Sequence, residues 1–422
     1  MIAVLILKNN LMEKIVIKST NFDNAINTFL SHIESLWTSL PAVLKTMDKA
    51  NDSALQKHSK FLIDNCEYVE SEQHYLIKPE HRRYNKLLKK SASNSNIAHK
   101  IIKRNFLVSL ISQFDTYISD TIKAVFVVKP ELLNNSEKLL TFSELIKFDS
   151  IEDAKDFIVE KEIETVLREN HTEQFKWFER KLNVKLRSDL PIWQTFIEIT
   201  QRRNLFVHND GKVSNQYLSI CKENNVNGIN ELKNGDELDV ELEYFEMAFK
   251  CLFEMGVKLN QVLRRNLIPD EIEIADDSFL NISFELIQNQ QYELAKELYD
   301  FSDKYIKKYS NDDLRLRILL NRAQTYKWLE NEKQCKSIIE NEDWTSKADL
   351  FKLASYVLLD EFEKAVTIMK DIGDNPKIIE KTSYIDWPIF KKFIQSTEFK
   401  EAFIEIFNES FDVVEEKANE LV

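Results

Sequence analysis

Glycine and proline are scarce in this chain, which contains 5 glycines and 7 prolines among 422 residues. A hairpin-rich β protein is excluded, because its tight turns depend on these two residue types. Long stretches of the sequence repeat apolar residues every three or four positions, and 30% of all residues are charged. This spacing is typical of amphipathic helices. The sequence therefore predicts an all-α fold.

The length of the chain predicts more than one domain. In the N-terminal part we expect two helices within residues 22–72, with a break at residues 51–53, where Asn, Asp and Ser favour a helix cap. The Ser- and Asn-rich residues 91–96 are typical of a linker. Changes in composition then define three regions: an N-terminal helical region with a basic linker (1–96), a central helical domain (97–268) and a helical-hairpin repeat domain (269–422).

The cysteines and the apolar segments exclude several classes of protein. Cys66, Cys221, Cys251 and Cys335 are far apart in the sequence, so they indicate neither a zinc site nor a disulfide framework. No apolar stretch approaches the roughly 20 residues of a membrane span, and residues 1–7 lack the basic region of a secretion signal. We therefore expect a cytoplasmic protein without cofactor, metal or membrane partner. Whether Met1 or Met12 is the native start stays open.

The segment from Pro191 to Gly211 carries the most informative polar residues. At about 100° per residue, one helical face combines apolar and polar side chains: Trp193, Phe196, Ile197, Thr200, Val207, Arg203 and Asn204. His208 lies at the margin of that face. The opposite face, which we expect to meet solvent, carries Gln194, Glu198 and Arg202. Burying a guanidinium or an amide without partners costs several kcal/mol. The mixed face therefore predicts either a functional cleft or a satisfied polar network.

The pattern Arg203-Asn204-x-x-x-His208 resembles the motif of HEPN-superfamily ribonucleases, which are all-helical proteins of bacterial toxins and phage-defence systems. The resemblance covers roughly residues 97–268. It implies a HEPN-like helical bundle that forms a homodimer and cleaves RNA without metal. It also implies catalytic roles for Arg203, Asn204 and His208. The alternative is that these three residues form a polar cluster that stabilises a helix junction.

The neighbouring helices supply candidate supporting residues. We expect helices at residues 98–126, 151–169 and 238–266. Asp115, on the first of them, either orients Arg203 or His208 or faces solvent. After the motif, Gly211 suits the left-handed position that ends a helix, and Asn209 and Lys212 are candidates for phosphate or base contacts. His171 is expected to be exposed and is assigned no role.

The charge of the chain is unevenly distributed. Residues 1–129 carry 18 basic and 12 acidic residues, whereas the remainder carries 39 basic and 58 acidic residues. The most basic stretch mixes cations with one aromatic ring: Arg82, Arg83, Tyr84, Lys86, Lys89 and Lys90. Such residues can hold RNA phosphates and stack a base. A solvated basic helix end explains the same stretch equally simply.

The C-terminal region resembles tetratricopeptide-like helical hairpins. Residues 276–308 and 348–370 each predict two helices, and their turns end in Tyr292 followed by Ala295 and in Phe362 followed by Ala365. A third hairpin around residues 322–340 departs from this pattern, with Lys333 and Lys336 at the corresponding places. The aromatic residues from Trp387 to Phe407 are expected to cap the array. Such arrays bind peptides or protein partners.

Two functional hypotheses are consistent with the sequence. No glycine-rich phosphate-binding loop, serine nucleophile elbow or zinc-binding histidine motif occurs in the sequence. The first hypothesis is a metal-independent endoribonuclease that cleaves RNA by 2′-OH transesterification, as a toxin or phage-defence (abortive infection) effector regulated through its C-terminal repeats. The alternative is a non-catalytic dimeric helical scaffold that binds protein partners through residues 270–422.

Overall fold

The computed structural model describes residues 2–71, 73–135, 139–188 and 190–410, with the side chains of residues 21 onward in these ranges except that of Asn135. This part of the chain is mostly helical and contains one two-stranded sheet. The prediction of an all-α fold is confirmed. The chain divides into two compact units, Met1–Gly256 and Val257–Val422.

The first unit contains the long helices and the motif. In chain order its helices are α1 (Ile2–Asn65), α2 (Arg82–Val128), α3 (Phe142–Leu145), α4 (Ile151–Arg168), α5 (His171–Leu182), α6 (Trp193–His208), α7 (Asn215–Glu223) and α8 (Leu242–Leu267), the last of which continues into the second unit. Short 3-10 turns lie at Pro79–His81, Pro130–Asn135 and Ile229–Glu231. Two short antiparallel strands, β1 (Glu67–Val69) and β2 (His74–Leu76), connect α1 to α2, with Tyr68 opposite Tyr75.

Helices α1 and α2 form an antiparallel hairpin. Phe29 stacks on Tyr117 with ring centroids 4.8 Å apart. Farther along, His99 Nε2 lies 3.0 Å from Asp48 Oδ1. The contacts between α1 and α2 therefore extend from Phe29 and Tyr117 to at least Asp48 and His99.

This pairing overturns two predictions made from the sequence. Residues 51–53 do not break a helix, since they lie inside α1, and residues 91–96 are not a linker, since they lie inside α2. The expected helix 98–126 is accordingly only part of α2. Ala92 is buried, and nearby His58 Nε2 lies 2.9 Å from Asn85 Oδ1. Tertiary packing thus maintains the helix through residues whose intrinsic propensity favours turns and caps.

The other helices of the first unit agree more closely with the sequence. Helix α4 begins at residue 151, as predicted, and it is capped by Ser150, whose Oγ accepts the Asp153 N–H at 3.1 Å. Helix α8 begins at Leu242 and not at residue 238. The acidic residues before it are engaged elsewhere, because Glu241 accepts from Lys103 Nζ at 3.1 Å. Among the described residues, no helix is long and apolar enough to cross a membrane.

The second unit consists of paired helices. They are α9 (Ile272–Gln288), α10 (Tyr292–Tyr305), α11 (Asp312–Trp328), α12 (Glu332–Glu340), α13 (Asp349–Leu358), α14 (Phe362–Ile372), α15 (Ser383–Asp386) and α16 (Thr397–Phe407), with 3-10 turns at Pro269–Glu271, Pro388–Phe390 and Phe393–Gln395. The predicted helical hairpins are present in all three places. The aromatic residues of the terminal segment pack into the core of this unit, with Phe390, Phe399 and Phe403 buried.

Three turns of this unit share one geometry. Gln290, Glu330 and Asp360 each adopt a left-handed backbone, with φ of 58°, 59° and 58°. In each turn the following N–H donates to a carbonyl five residues earlier, as Gln291 does to Leu286 O at 2.8 Å. Five residues after the left-handed residue, each hairpin has a small buried side chain. These side chains are Ala295, Cys335 and Ala365. The prediction that Lys333 and Lys336 occupy the aromatic and small positions of the pattern was therefore wrong by one residue.

Candidate functional site around α6

Helix α6 carries the three motif residues, and its apolar face explains where it packs. Trp193, Phe196 and Ile197 are buried on it, and burial of each large apolar side chain stabilises the fold by roughly 1.5–3 kcal/mol. Phe196 meets the ring of Phe114 on α2, with centroids 5.1 Å apart. This contact brings the polar residues of α6 against α2.

The end of α6 is fixed by two successive left-handed residues. Asp210 and Gly211 have φ of 48° and 77°, and the Gly211 N–H donates to Leu205 O at 3.0 Å. A Cβ on Gly211 would lie 2.9 Å from Arg104 Nη2 and 3.0 Å from Leu238 O. Glycine is therefore required here both by the backbone conformation and by the close approach of α2. The predicted left-handed position is confirmed.

Arg203 is held by a carboxylate on α2. Its Nη2 donates to Asp115 Oδ2 at 2.6 Å, and its Nη1 donates to Asn204 Oδ1 at 3.2 Å. The side chain of Arg203 is 20% exposed and that of Asp115 is 30% exposed. Arg203 Nε is buried and has no hydrogen-bond partner among the residues that the structure describes. Of the two options that the sequence left for Asp115, the contact with Arg203 is confirmed.

The prediction that His171 is exposed was wrong. Its imidazole is 8% exposed, and its Nε2 lies 2.9 Å from Asp115 Oδ1. Phe196 meets the imidazole edge to face, at a centroid distance of 5.5 Å. The start of α5 could be predicted from the sequence, because Asn170 is a residue type that favours helix caps. In the structure its Oδ1 accepts the Glu173 N–H at 3.1 Å. What the sequence did not contain was the packing of that helix against α2.

His208 lies apart from this polar cluster. It follows Arg203 by five residues, which corresponds to about 140° around the helix and about 7.5 Å along it. Its side chain is exposed, and no described residue forms a hydrogen bond or ion pair with it. The side chain of Asn204 bonds Arg203 and not His208. A single chain thus positions Arg203 firmly and leaves the imidazole of His208 accessible.

The other two supporting candidates lie in the turn after α6. The Asn209 Nδ2 donates to Lys212 O at 2.6 Å, so this amide is used within the turn. Lys212 pairs with Glu237 as an isolated β-bridge, and its side chain is exposed. Neither side chain contacts Arg203.

Arg104 on α2 anchors this turn. Its guanidinium, which is 7% exposed, donates to Asp210 Oδ1 at 3.2 Å and to Glu237 Oε1 at 3.0 Å. It also donates to Leu238 O at 3.1 Å. Hydrogen bonds from Lys100 and Arg104 lower the pKa of the Glu237 carboxyl. The loop after the motif is therefore tied to α2 by a buried arginine that the sequence analysis missed.

The opposite face of α6 is buried and not exposed to solvent as predicted. Glu198 Oε1 accepts from Arg202 Nε at 2.8 Å and from the Tyr217 hydroxyl at 2.7 Å, and its Oε2 accepts from the Tyr244 hydroxyl at 2.5 Å. The Arg202 guanidinium stacks over the Tyr244 ring at 3.9 Å and donates to Asp239 O at 3.2 Å. By contrast, Val207 is 49% exposed, although the helical phase predicted it to be interior.

A cavity of about 410 Å³ adjoins this second cluster and is lined by Glu198, Arg202, Tyr217 and Tyr244 among others. Burial, together with the charge of Glu198, raises the pKa of both tyrosine hydroxyls. Burial also raises the pKa of the nearby Cys221 thiol to about 12. At neutral pH the two tyrosine hydroxyls are neutral donors that neutralise none of the charge on Glu198. The guanidinium of Arg202 pairs with this carboxylate and balances its charge.

The basic residues of the sequence lie at the other end of α2. Arg82, Arg83, Tyr84, Lys86, Lys89 and Lys90 are all exposed on its first turns. Asp115 follows Lys86 by 29 residues, a distance of about 44 Å along a helix. The structure therefore brings together Asp115, His171, Arg203 and Asn204, and it keeps the basic residues away from them.

No three His, Cys, Asp or Glu side chains converge as metal ligands within the part of the chain that the structure describes. Comparison with protein-family models, with curated proteins and with solved structures found no match to this chain.

Proposed function

We propose that this protein is a metal-independent endoribonuclease with a HEPN-like active site on α6. The observation that carries the proposal is the fixed guanidinium of Arg203, which the Asp115 carboxylate holds at 2.6 Å near the end of a helix that terminates in an accessible histidine. A positioned guanidinium stabilises the charge that develops on a phosphorane-like transition state. An accessible imidazole supplies general acid or base catalysis.

The proposed reaction is an intramolecular transesterification. The ribose 2′-oxygen attacks the adjacent phosphorus, its proton passes to a base, and the bond from phosphorus to the 5′-oxygen breaks as that oxygen receives a proton from an acid. The products are a 2′,3′-cyclic phosphate and a 5′-hydroxyl. His208 serves as the base or as the acid, Arg203 binds the phosphoryl oxygens, and Asn204 supports Arg203.

This reaction needs both a base and an acid. His171 is a poor second group, because it is buried and its Nε2 already contacts Asp115. The second imidazole in our proposal is His208 of another copy of the chain, which makes the active enzyme a homodimer through residues 97–268. We further propose that the biological role is that of a toxin or phage-defence effector.

The test is cleavage of total cellular RNA by the purified chain in EDTA, followed by analysis of the product ends. Cyclic phosphates and 5′-hydroxyls are expected, and DNA of the same sequence should stay intact because it lacks the 2′-OH. Light scattering should give the mass of a dimer. Cleavage that requires a divalent metal, or that leaves 5′-phosphates, would contradict the proposal.

The second candidate is a scaffold that binds a protein partner through residues 270–422. An apolar cavity of about 240 Å³ in the second unit favours it, since Phe284, Phe351 and Trp387 line this cavity between α9, α11 and α13. Overexpression in cells separates the two functions. A ribonuclease toxin should lose its toxicity when His208 is replaced by Ala, with folding and dimer mass unchanged, whereas a scaffold should show no toxicity that depends on His208.

A further inference from the structure

The first turns of α2 carry a patch of cations that the fold leaves free. We call it the basic tip, and its members are Arg82, Arg83, Lys86, Lys89 and Lys90. All five side chains are exposed, and none has a carboxylate partner among the described residues. At about 100° per residue they lie within a sector of about 120°. They therefore form one continuous positive stripe.

The basic tip is not arranged for stability. Arg82 and Arg83 occupy the first turn of α2, which contains no acidic residue, and cations near a helix N-terminus are disfavoured by the macrodipole. Farther along the same helix the cations are paired, since Lys103 contacts Glu241 at 3.1 Å and Arg104 contacts Glu237 at 3.0 Å. The cations of the basic tip are therefore unpaired among the described residues, whereas cations farther along the same helix have carboxylate partners. This difference indicates that the basic tip binds an external anion.

The same helix connects the basic tip to the proposed active site. Arg104, which bonds Asp210 just after the motif, follows Lys86 by 18 residues, or about 27 Å along α2. Asp115, which holds Arg203, lies about 44 Å from Lys86. Residues 82–128 are one α-helix, so this separation is built into the fold. A ligand that touches both places must span it.

We propose that the basic tip binds the phosphate backbone of RNA at a distance from the scissile bond, and that the substrate is a long or folded RNA. At about 3.4 Å per nucleotide of a helical strand, the separation of 27 to 44 Å corresponds to roughly 8 to 13 nucleotides. The exposed ring of Tyr84, which is 55% exposed, is available to stack a base beside the cations. The proposal rests on the ribonuclease function for the identity of the ligand.

The binding test uses the full chain with His208→Ala, which prevents cleavage during the measurement. The basic-tip variant is R82Q/K86Q/K89Q. The matched control is K123Q/K155Q/K161Q, which removes three at least partly exposed lysines that are paired with carboxylates on α2 and α4. The probes are RNA hairpins with stems of about 24 and about 6 base pairs, above and below the required span.

For the longer RNA, the basic-tip variant should bind on the order of 10- to 50-fold more weakly at physiological salt, and the slope of log affinity against log salt should fall by about 2. The shorter RNA should distinguish the variants by less than about twofold, because it cannot reach both places. Equal loss in the basic-tip and control variants, or no loss in either, would overturn the inference. So would retention on phosphatidylserine vesicles through the basic tip with RNA affinity unchanged.

Cleavage assays with His208 intact distinguish a failure of this inference from a failure of the proposed ribonuclease function. If the wild type cuts RNA, the basic-tip variant should raise KM for the longer RNA and leave kcat unchanged. If the wild type cuts no RNA while the binding results hold, the ribonuclease proposal fails and the RNA-binding role of the basic tip stands. If the wild type cuts RNA and the basic-tip variant binds and cuts normally, only the inference fails.

Discussion

The two faces of α6 carry polar clusters that differ in how completely they are satisfied. On one face Glu198 accepts hydrogen bonds from Arg202, Tyr217 and Tyr244. On the other face Arg203 contacts Asp115, but its Nε is buried and no described residue forms a hydrogen bond with it. A closed network specifies packing, whereas a buried polar atom without a partner requires another explanation, such as a functional role.

The comparison extends to exposure. The side chain of Glu198 is 11% exposed, whereas that of Asp115 is 30% exposed. Substitutions in the Glu198 cluster should therefore cost mainly stability. Substitutions in the Asp115 cluster and at His208 should cost mainly activity.

The largest effect is expected at His208. Its replacement by Ala should reduce RNA cleavage by about 10²- to 10⁴-fold, because the imidazole supplies general acid or base catalysis. Since the side chain is exposed and unpaired among the described residues, the free energy of unfolding should change by less than about 0.5 kcal/mol. The control is His99→Ala, which removes a partly exposed histidine paired with Asp48 on the long hairpin. Equal activity of both variants would remove His208 from the site.

The next largest effect is expected at Glu198, and it concerns stability. Glu198→Ala removes the acceptor of two buried hydroxyls and leaves Arg202 without its carboxylate. Breaking a buried pair in this way costs about 3–5 kcal/mol. Urea unfolding measures the loss, and Glu164→Ala, which removes an exposed partner of Lys161, should leave stability nearly unchanged. A loss at Glu198 no larger than at Glu164 would mean that the second cluster is not structural.

The sequence predicted one face of α6 and missed the other for a physical reason. Helical periodicity identified the face with Trp193 and Phe196, and the glycine pattern identified where the helix ends. Periodicity cannot show that a helix is covered on both sides, so Arg202 was expected in solvent although α7 and α8 cover it. The burial of Glu198 depends on Tyr217 and Tyr244, which are distant in sequence.

Local propensity also led to wrong predictions in α1 and α2, for a related reason. Residues 51–53 and 91–96 are polar and favour turns, yet the mutual packing of α1 and α2 keeps both segments helical. The contact between Asp115 and Arg203 was one of two options in the sequence. His171 was not expected to join it, because its position depends on how α5 packs against α2.

Alkaline pH tests the closed cluster by a different route. The folded state raises the pKa of Tyr244 through burial and the charge of Glu198, whereas the unfolded chain releases this proton near pH 10. Above pH 10 the unfolded state therefore binds fewer protons, and stability falls as pH rises. Between pH 9 and pH 11 the wild type should lose about 1.4 kcal/mol more than Tyr244→Phe. Tyr84→Phe, at an exposed ring, should lose as much as the wild type. Parallel curves for all three proteins would contradict the burial of that hydroxyl.

The smallest change is expected at Asp115, and its division between activity and stability decides the comparison. Asp115→Asn keeps an oxygen for Arg203 or His171 but removes the charge between them. Because the side chain is partly exposed, the loss of stability should stay below about 1 kcal/mol. Removing a transition-state donor costs about 10²–10³-fold in rate. Here the guanidinium remains and only its anchor weakens, so we expect a roughly five- to tenfold loss of cleavage. Asp120→Asn, at a partly exposed residue of the same helix paired with Lys123, is the control and should change neither quantity.

If Asp115→Asn instead destabilises the fold as strongly as Glu198→Ala, and cleavage falls only in proportion to unfolded protein, the Arg203 cluster is structural too. In that case the two faces of α6 do not differ in kind.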